Sequence, residues 1–194
     1  MTLAQWTMLL SSTPADTIGL KVSIWYYVIH SMMLLLRDRQ PTSSRLLSAR
    51  LIHRHGRLSV IVAYAPTEDA ADADKDAFYN DLASVIESVP THDNLLMLGD
   101  FSAVTGPRSA GYEDVVGLFG AGNPNNNSSR LWSLCSSHGL IVFRSWFRRL
   151  NVHRWTRASD DGRTKKEIDH IIYSTVDLAK SFLKILANSA LTFL

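Results

Sequence analysis

A short apolar run that ends in a carboxylate decides the fold, and residues 94–106 read NLLMLGDFSAVTG. Leu95–Leu98 is wholly apolar, which is typical of a strand buried on both faces of a sheet. Asp100 ends this run and begins a glycine-bearing loop. Because a carboxylate beside a buried strand is costly unless it is paired or functional, Asp100 is a candidate metal ligand, general base or histidine-orienting group. A paired structural carboxylate is the alternative interpretation.

The residues before this strand predict a hairpin and a helix. Leu46–Ile52 alternates loosely and Arg57–Tyr64 is strongly β, with a polar turn between them. Asp72–Val89 has helical periodicity and stops at a proline. Its apolar face consists of Phe78, Leu82, Val85, Ile86 and Val89.

The residues after the strand predict a second helix and further strands. Ser128–His138 is the helix, with Ser128 as a possible N-cap. Leu140–Phe147 returns to a β pattern, and His153–Ala158 with Lys166–Tyr173 indicates a hairpin around an Asp-Gly turn. Asp169 lies inside this last β run, so it is a second candidate site carboxylate with the same structural alternative. Strands that alternate with helices and hairpins indicate an α/β protein with mixed sheets.

Length and composition exclude several classes of protein. The chain has 194 residues, of which 46% are hydrophobic and 20% charged, so it fits one ordinary globular domain and not a disordered or collagen-like chain. It has one cysteine, which excludes an internal disulfide framework. We expect Cys135 to be a buried thiol in a reducing compartment.

The formal charge of +2 hides a strong asymmetry. Residues 65–87 hold seven acids and one base, a net charge of −6, whereas residues 144–166 hold eight bases and two acids, a net charge of +6. The basic arm (residues 144–166) also contains Trp146, Phe147 and Trp155, so it could bind a polyanion by charge and stacking. Two solvated faces of opposite sign are the alternative.

The first 40 residues differ from the rest of the chain. Val22–Leu36 has 12 apolar residues out of 15, which is shorter than the roughly 20 that a membrane-spanning helix needs. We therefore expect a buried segment of a soluble, intracellular protein, nuclear or cytoplasmic, without stable membrane insertion; a membrane anchor is the alternative.

Four motifs in order resemble the endonuclease/exonuclease/phosphatase superfamily, and above all the endonuclease-like domains of non-LTR retrotransposons and craniofacial development protein 2-like proteins. The resemblance covers roughly residues 41–180. It is carried by AYAPT at 63–67, LGDFSAVTG at 98–106, NSSRL at 127–131 followed by HGL at 138–140, and RWT at 154–156 followed by EIDHII at 167–172.

This resemblance implies a four-layer α/β sandwich of two mixed sheets flanked by helices, and Mg²⁺-assisted hydrolysis of phosphodiesters in nucleic acid, most of all DNA. Tyr64 matches a tyrosine that contacts the scissile phosphate, and Asp100 matches the aspartate that activates the attacking water. Asp169 matches the aspartate that supports the catalytic histidine. Asp100 is also the best candidate metal ligand. The basic arm would border the site and bind nucleic acid through Arg144, Arg148, Arg149, Arg154, Trp155, Arg157, Arg163 and Lys165.

The sequence also departs from the family pattern. Ser102 stands where the family has an asparagine, and residues 1–40 contain neither Glu nor Asn, so the metal-binding glutamate of an early strand is missing. The closing Ser-Asp-His motif is missing too, since no Asp, Glu or His follows Asp177. We expect an incomplete copy, with a partial domain at 41–180, an atypical apolar segment at 1–40 and an apolar tail at 181–194.

Three functional hypotheses follow from these matches and departures. The first is a phosphodiesterase whose activity is weak or absent, because catalytic groups that act as a unit are lost together. The second is a non-catalytic remnant, a pseudoenzyme that still binds nucleic acid. The third is a transposon-derived fragment with no selected function.

Overall fold

A computed structural model describes residues 39–41, 43–53, 56–107, 110–148, 155–158 and 165–174. The predictions made for residues 1–38, including the apolar segment 22–36, and for the tail 181–194 lie outside the described residues. Of the basic arm, Arg149, Arg154 and Arg163 also lie outside them.

A six-stranded mixed sheet forms the centre of the fold, in the order β1-β2-β3-β4-β8-β5. Of the neighbouring strands in this sheet, β3 and β4 run parallel and all other pairs run antiparallel. Strands β6 and β7 form a separate two-stranded antiparallel ribbon. The strands are β1 (Arg39–Pro41), β2 (Leu46–His53), β3 (Gly56–Tyr64), β4 (Asn94–Asp100), β5 (Ile141–Val142), β6 (Arg157–Ala158), β7 (Lys165–Lys166) and β8 (Asp169–Tyr173).

Two helices cover one face of the sheet. Helix α1 (Asp72–Glu87) connects the parallel strands β3 and β4, and α2 (Asn126–Ser137) precedes β5. The predicted apolar face of α1 is buried with inward residues of β3 and β4, such as Ile61 and Met97, and with α2 residues that include Cys135. The buried Cys135 thiol, whose pKa burial raises, is confirmed as part of this core.

A second apolar cluster lies on the other face of the sheet. Because strand residues alternate between faces, the even-numbered positions of β3 and β4 point away from the helices. Val60, Leu96 and Leu98 pack there with Tyr173 of β8 and with Phe143. The strand residues that follow in the same alternation, Tyr64 on β3 and Asp100 on β4, therefore lie at the edge of this second face.

Most of the predicted helices and strands are confirmed, and so is the hairpin between residues 157–158 and 165–166, but three details of the prediction differ from the structure. The residues from Leu140 to Phe147 do not form one strand, because β5 ends at Val142 and a 3₁₀ helix occupies Phe143–Trp146. The run 166–173 is divided: Lys165–Lys166 pairs with β6, while Asp169–Tyr173 joins the large sheet between β4 and β5. Ser128 is not the N-cap of α2, since Asn125 has that position.

The observed architecture is the expected α/β fold, a mixed sheet flanked by helices. The two-sheet, four-layer arrangement stays a prediction, since the second sheet among the described residues is the β6–β7 ribbon. No helix in the described ranges is long and apolar enough to cross a membrane.

Candidate functional site

Three of the predicted site residues meet at one edge of the sheet. In the pairing of β3 with β4, Tyr64 is the partner of Asp100, and in the pairing of β4 with β8, Asp100 is the partner of Asp169. Residues that pair in register point to the same face of a sheet. The tyrosine and both aspartates therefore project side by side beyond the second apolar cluster.

Gly99 makes this close approach of strands possible. A Cβ built there would lie 1.8 Å from the carbonyl oxygen of Ala63 on β3, so no larger residue fits. Its φ of +151° is also outside the range that other residues readily adopt. The glycine before Asp100 is thus part of what places the carboxylate at the strand end.

Asp100 has a raised pKa for a clear physical reason. Burial comes first and the negative charge of Asp169 second, and together they raise the pKa of Asp100 to about 6. The backbone N–H of Ser102, which donates to Asp100 Oδ1 at 2.7 Å, and the positive charge of Arg157 act in the opposite direction. Asp100 therefore changes its protonation close to neutral pH, as a general base should.

Ser102 holds the turn that follows Asp100. It is only 6% exposed and has a φ of +47°, a left-handed conformation in which asparagine is several-fold enriched. Its hydroxyl lies 3.4 Å from Asp100 Oδ1. The backbone at Ser102 thus suits the asparagine that the family pattern leads one to expect.

Thr156 supports the backbone that delivers Asp169. Its Oγ1 accepts hydrogen bonds from the backbone N–H groups of Ile168 at 3.0 Å and Asp169 at 3.2 Å. Burial raises the pKa of Asp169, and the Thr156 hydrogen bond and nearby positive charge from His170 and Arg144 oppose this rise. Thr156, which the sequence marked only as part of a motif, is a positioning residue for this carboxylate.

His170, next along β8, points to the helix side of the sheet. It is 2% exposed, and its Nε2 lies 2.7 Å from the carbonyl oxygen of Ala103. A carbonyl only accepts, so Nε2 carries the proton, and burial lowers the pKa of His170. His170 therefore ties the loop after Asp100 to β8. His170 was not among the predicted site residues, although strand alternation places it on the face of the sheet opposite to that of Asp169.

Two arginines of the basic arm act on the two aspartates through their charge. Arg157 acts on Asp100 through its charge, and Arg144 acts on Asp169. Arg144 Nε also forms a 3.3 Å ion pair with the buried Glu167. Arg148 and Lys165 are exposed, and Trp155 is half-buried. Arg144 and Arg157 thus lie within electrostatic reach of the two aspartates, and the role of the whole arm in binding nucleic acid stays a prediction.

Two side chains without a local sequence signal, Asn125 and Glu68, hold the loops around the site. The Asn125 side chain donates to the Ser102 carbonyl at 2.7 Å and accepts from the Val104 N–H at 3.1 Å while it caps α2. The Glu68 carboxylate accepts from the N–H groups of Asn126 at 2.8 Å and Asn127 at 3.2 Å. The loop after β4 and the segment after β3 that contains Glu68 are thus both attached to the start of α2. These contacts join residues far apart in the chain.

The residues present fit a magnesium ion in part. Mg²⁺ is usually held by one or two carboxylates, with waters and substrate phosphates as the other ligands. Asp100 and Asp169 provide an adjacent, partly buried pair of carboxylates, and burial is the largest cause of the raised pKa of each. The described ranges contain no cluster of three or more His, Cys, Asp or Glu residues that could hold a metal.

Comparison with known proteins relates the chain to one curated protein. Craniofacial development protein 2 of Bos taurus is 33% identical over 130 residues, and that of Tragulus javanicus is 32% identical over 130 residues. The match covers 67% of this chain and 22% of either relative, so the chain spans about a fifth of their length. No family model matches.

Solved structures of similar shape include two nucleic-acid enzymes. The endonuclease domain of TRAS1, a telomere-specific non-LTR retrotransposon, has a TM-score of 0.48 at 14% identity, covering 72% of this chain and 54% of that one. The 3′ phosphatase NExo from Neisseria, bound to a product DNA hairpin, has a TM-score of 0.49 at 18% identity, covering 72% and 58%. The match to craniofacial development protein 2 agrees with the resemblance that the sequence motifs show to the endonuclease/exonuclease/phosphatase superfamily, and three residues of those motifs meet at one edge of the mixed α/β sheet.

Proposed function

We propose that the edge formed by Tyr64, Asp100 and Asp169 binds a phosphodiester of DNA and hydrolyses it slowly with Mg²⁺. The observation that carries this proposal is the in-register placement of these three side chains on one face, with the charge of Arg157 acting on Asp100. The slow rate is proposed because Ser102 replaces an asparagine and the described carboxylates near the site are fewer than the family pattern requires.

Each residue has a defined part in this proposal. Mg²⁺, when bound by Asp100 and Asp169, would neutralise phosphate charge and activate a water. Above its pKa of about 6 in the absence of the ion, Asp100 is a carboxylate, which would hold the ion through one oxygen and accept a hydrogen bond from the attacking water through the other. The 42% exposed Tyr64 offers its hydroxyl to a phosphate oxygen, and Arg157 adds positive charge beside the anionic substrate.

Plasmid nicking tests the hydrolytic part. The full chain should convert supercoiled plasmid to the open circle slowly and only with Mg²⁺, and Asp100→Ala and Asp169→Ala should abolish the reaction. Glu87→Ala, at the exposed end of α1, is the matched control and should nick at the wild-type rate. Nicking that persists in both site variants, or none in the wild type, would show that this edge does not catalyse hydrolysis.

The second candidate function is nucleic-acid binding without catalysis. It is favoured by the exposed cations Arg148, Arg157 and Lys165 along the described part of the basic arm. Binding to phosphates releases counterions, so affinity should fall steeply with salt, with a slope of about −0.9 per phosphate contacted on duplex DNA. Salt-dependent binding together with absent nicking would select this function. Affinity that does not change with salt would contradict it.

A further inference from the structure

A cleft of about 470 Å³ lies beside Tyr64, outside the pair of aspartates. Its lining includes Arg45 and Tyr64 from this end of the sheet and Asp74 and Asp81 from α1. Its size falls within the range of clefts that take small ligands. We propose that this cleft is a subsite for the nucleotide next to the phosphodiester at the sheet edge. Arg45 binds its phosphate, and one of the two α1 carboxylates accepts a hydrogen bond from the amino group of its base.

Arg45 is held in a position suited to a phosphate. Its guanidinium lies over the Tyr64 ring, with Cζ 5.7 Å from the ring centroid, and its Nη1 donates to the Tyr64 carbonyl at 3.3 Å. A guanidinium has five N–H donors in a planar fork that matches phosphate oxygens. Because Tyr64 already orients the side chain, little conformational freedom is lost when Arg45 binds an anion.

The α1 part of the lining repels phosphate and suits an amine-bearing base. Asp74 and Asp81 are seven residues apart, two helical turns, so they share one exposed face of α1. Their charges repel phosphate, which therefore stays on the Arg45 side while the base points towards the helix. A carboxylate accepts from the N4 amine of cytosine, whereas uracil has a carbonyl at that position. The neighbouring Asp76 differs, since it is bound to Arg130 at 2.7 Å.

Tyr64 connects this cleft to the proposed site. It lines the cleft and is also the register partner of Asp100. A nucleotide in the cleft would therefore adjoin a phosphate at the Asp100–Asp169 edge. The inference rests on the proposed function, because it assumes that this edge binds nucleic acid.

The phosphate contact is tested by fluorescence anisotropy with 5′-labelled oligo(dC) and the full chain, in EDTA to stop hydrolysis. Arg45→Gln should weaken binding about tenfold and reduce the salt slope by about 0.7. Arg57→Gln is the matched control, since Arg57 is an exposed arginine at the opposite end of β3, and its affinity should equal that of the wild type.

The base contact is tested with oligo(dC) against oligo(dU), in which the amine at ring position 4 is replaced by a carbonyl and N3 carries a proton. The wild type should prefer oligo(dC) at least about fivefold. The double variant Asp74→Asn/Asp81→Asn should bind both oligonucleotides equally, and Glu87→Gln, also on α1, should keep the preference.

The outcomes separate this inference from the proposed function. Wild-type affinity in Arg45→Gln, or equal wild-type affinity for the two oligonucleotides, overturns the subsite; if Arg157→Gln then still weakens binding, the proposed function stands. Absence of any oligonucleotide binding by the wild type overturns both. Oligolysine binding that is lost in the Asp74→Asn/Asp81→Asn variant would assign the cleft to a basic peptide and overturn the nucleotide assignment.

Discussion

Asp100 and Asp169 lie directly opposite each other across the antiparallel strands β4 and β8. Residues opposite each other in such a pair have Cα atoms about 4.5–5.5 Å apart, so their carboxylates share one small region. Burial raises the pKa of both, and the charge of Asp169 adds to the rise at Asp100. The fold thus concentrates negative charge at a partly buried edge, which is what a divalent cation or a cation-bound phosphate requires.

Replacing Asp169 by a neutral residue should lower the pKa of Asp100. In Asp169→Asn the pKa of Asp100 should fall from about 6 but stay above its ordinary value of 3.8, because burial is the larger cause and remains. Carboxyl ¹³C NMR across a pH titration measures this. Arg157→Gln is the opposite control and should raise the pKa of Asp100, since that positive charge lowers it. An unchanged pKa in Asp169→Asn would mean that the two carboxylates do not interact.

Removing the charge of Asp100 should stabilise the protein at neutral pH. A carboxyl whose pKa is higher in the folded than in the unfolded chain binds its proton more tightly when folded, so its ionisation opposes folding. This effect is complete above about pH 6 and disappears as the pH falls below the ordinary pKa of 3.8. Asp100→Asn should therefore raise the free energy of unfolding at pH 7.5 by about 1–2 kcal/mol.

Urea unfolding at pH 7.5 and pH 4 measures this difference, which should be nearly absent at the lower pH. In the Asp100→Asn variant the side-chain amide oxygen can still accept the Ser102 N–H that Asp100 accepts at 2.7 Å, so the turn is preserved. Asp81→Asn, an exposed control on α1, should change the stability by less than about 0.5 kcal/mol. Equal or lower stability of Asp100→Asn at pH 7.5 would contradict the assigned cause.

The elements that sequence predicted best are those whose burial pattern is local. Leu95–Leu98 became the buried centre of β4 because an uninterrupted apolar run fits only a strand covered on both faces. The predicted face of α1 is buried, because apolar residues recur along its sequence with the 3.6-residue period of a helix. The strand ends at Tyr64 and Asp100 could also be located in this way, whereas Asp169, which was expected inside a strand, is the first residue of β8.

The supports of the site could not be predicted, because they join segments far apart in the chain. Glu68 binds backbone N–H groups 58 and 59 residues later, and Asn125 binds the loop of Ser102, 23 residues earlier. Side-chain bonds to backbone leave no periodicity in a sequence. The 3₁₀ helix after Val142 could not be predicted for a similar reason. Its apolar residues reach the second apolar cluster from a tight turn just as they would from a strand, so the sequence pattern does not distinguish the two.

Asn125 should contribute more to stability than its neighbour Asn126. Asn125→Ala removes the cap of α2 and two bonds to the Ser102–Val104 loop, which predicts a loss of about 2–3 kcal/mol in the free energy of unfolding. Asn126→Ala, the control, removes only exposed contacts to Arg130 and Asp72 and should cost less than about 1 kcal/mol. Urea titration compares the two variants, and equal losses would mean that Asn125 does not hold this loop.

The backbone at Ser102 should accept asparagine and should reject a β-branched residue. At a φ of +47°, asparagine is favoured and valine is a genuine outlier, so Ser102→Asn should keep the free energy of unfolding while Ser102→Val lowers it by more than about 1 kcal/mol. A longer amide beside Asp100 can also donate a hydrogen bond to a phosphate oxygen that the serine hydroxyl does not reach. Because one such contact in a transition state is worth on the order of 10²–10³ in rate, Ser102→Asn should nick plasmid with Mg²⁺ up to about 10²-fold faster than the wild type. Wild-type nicking by a fully folded Ser102→Asn would show that this position does not limit the reaction.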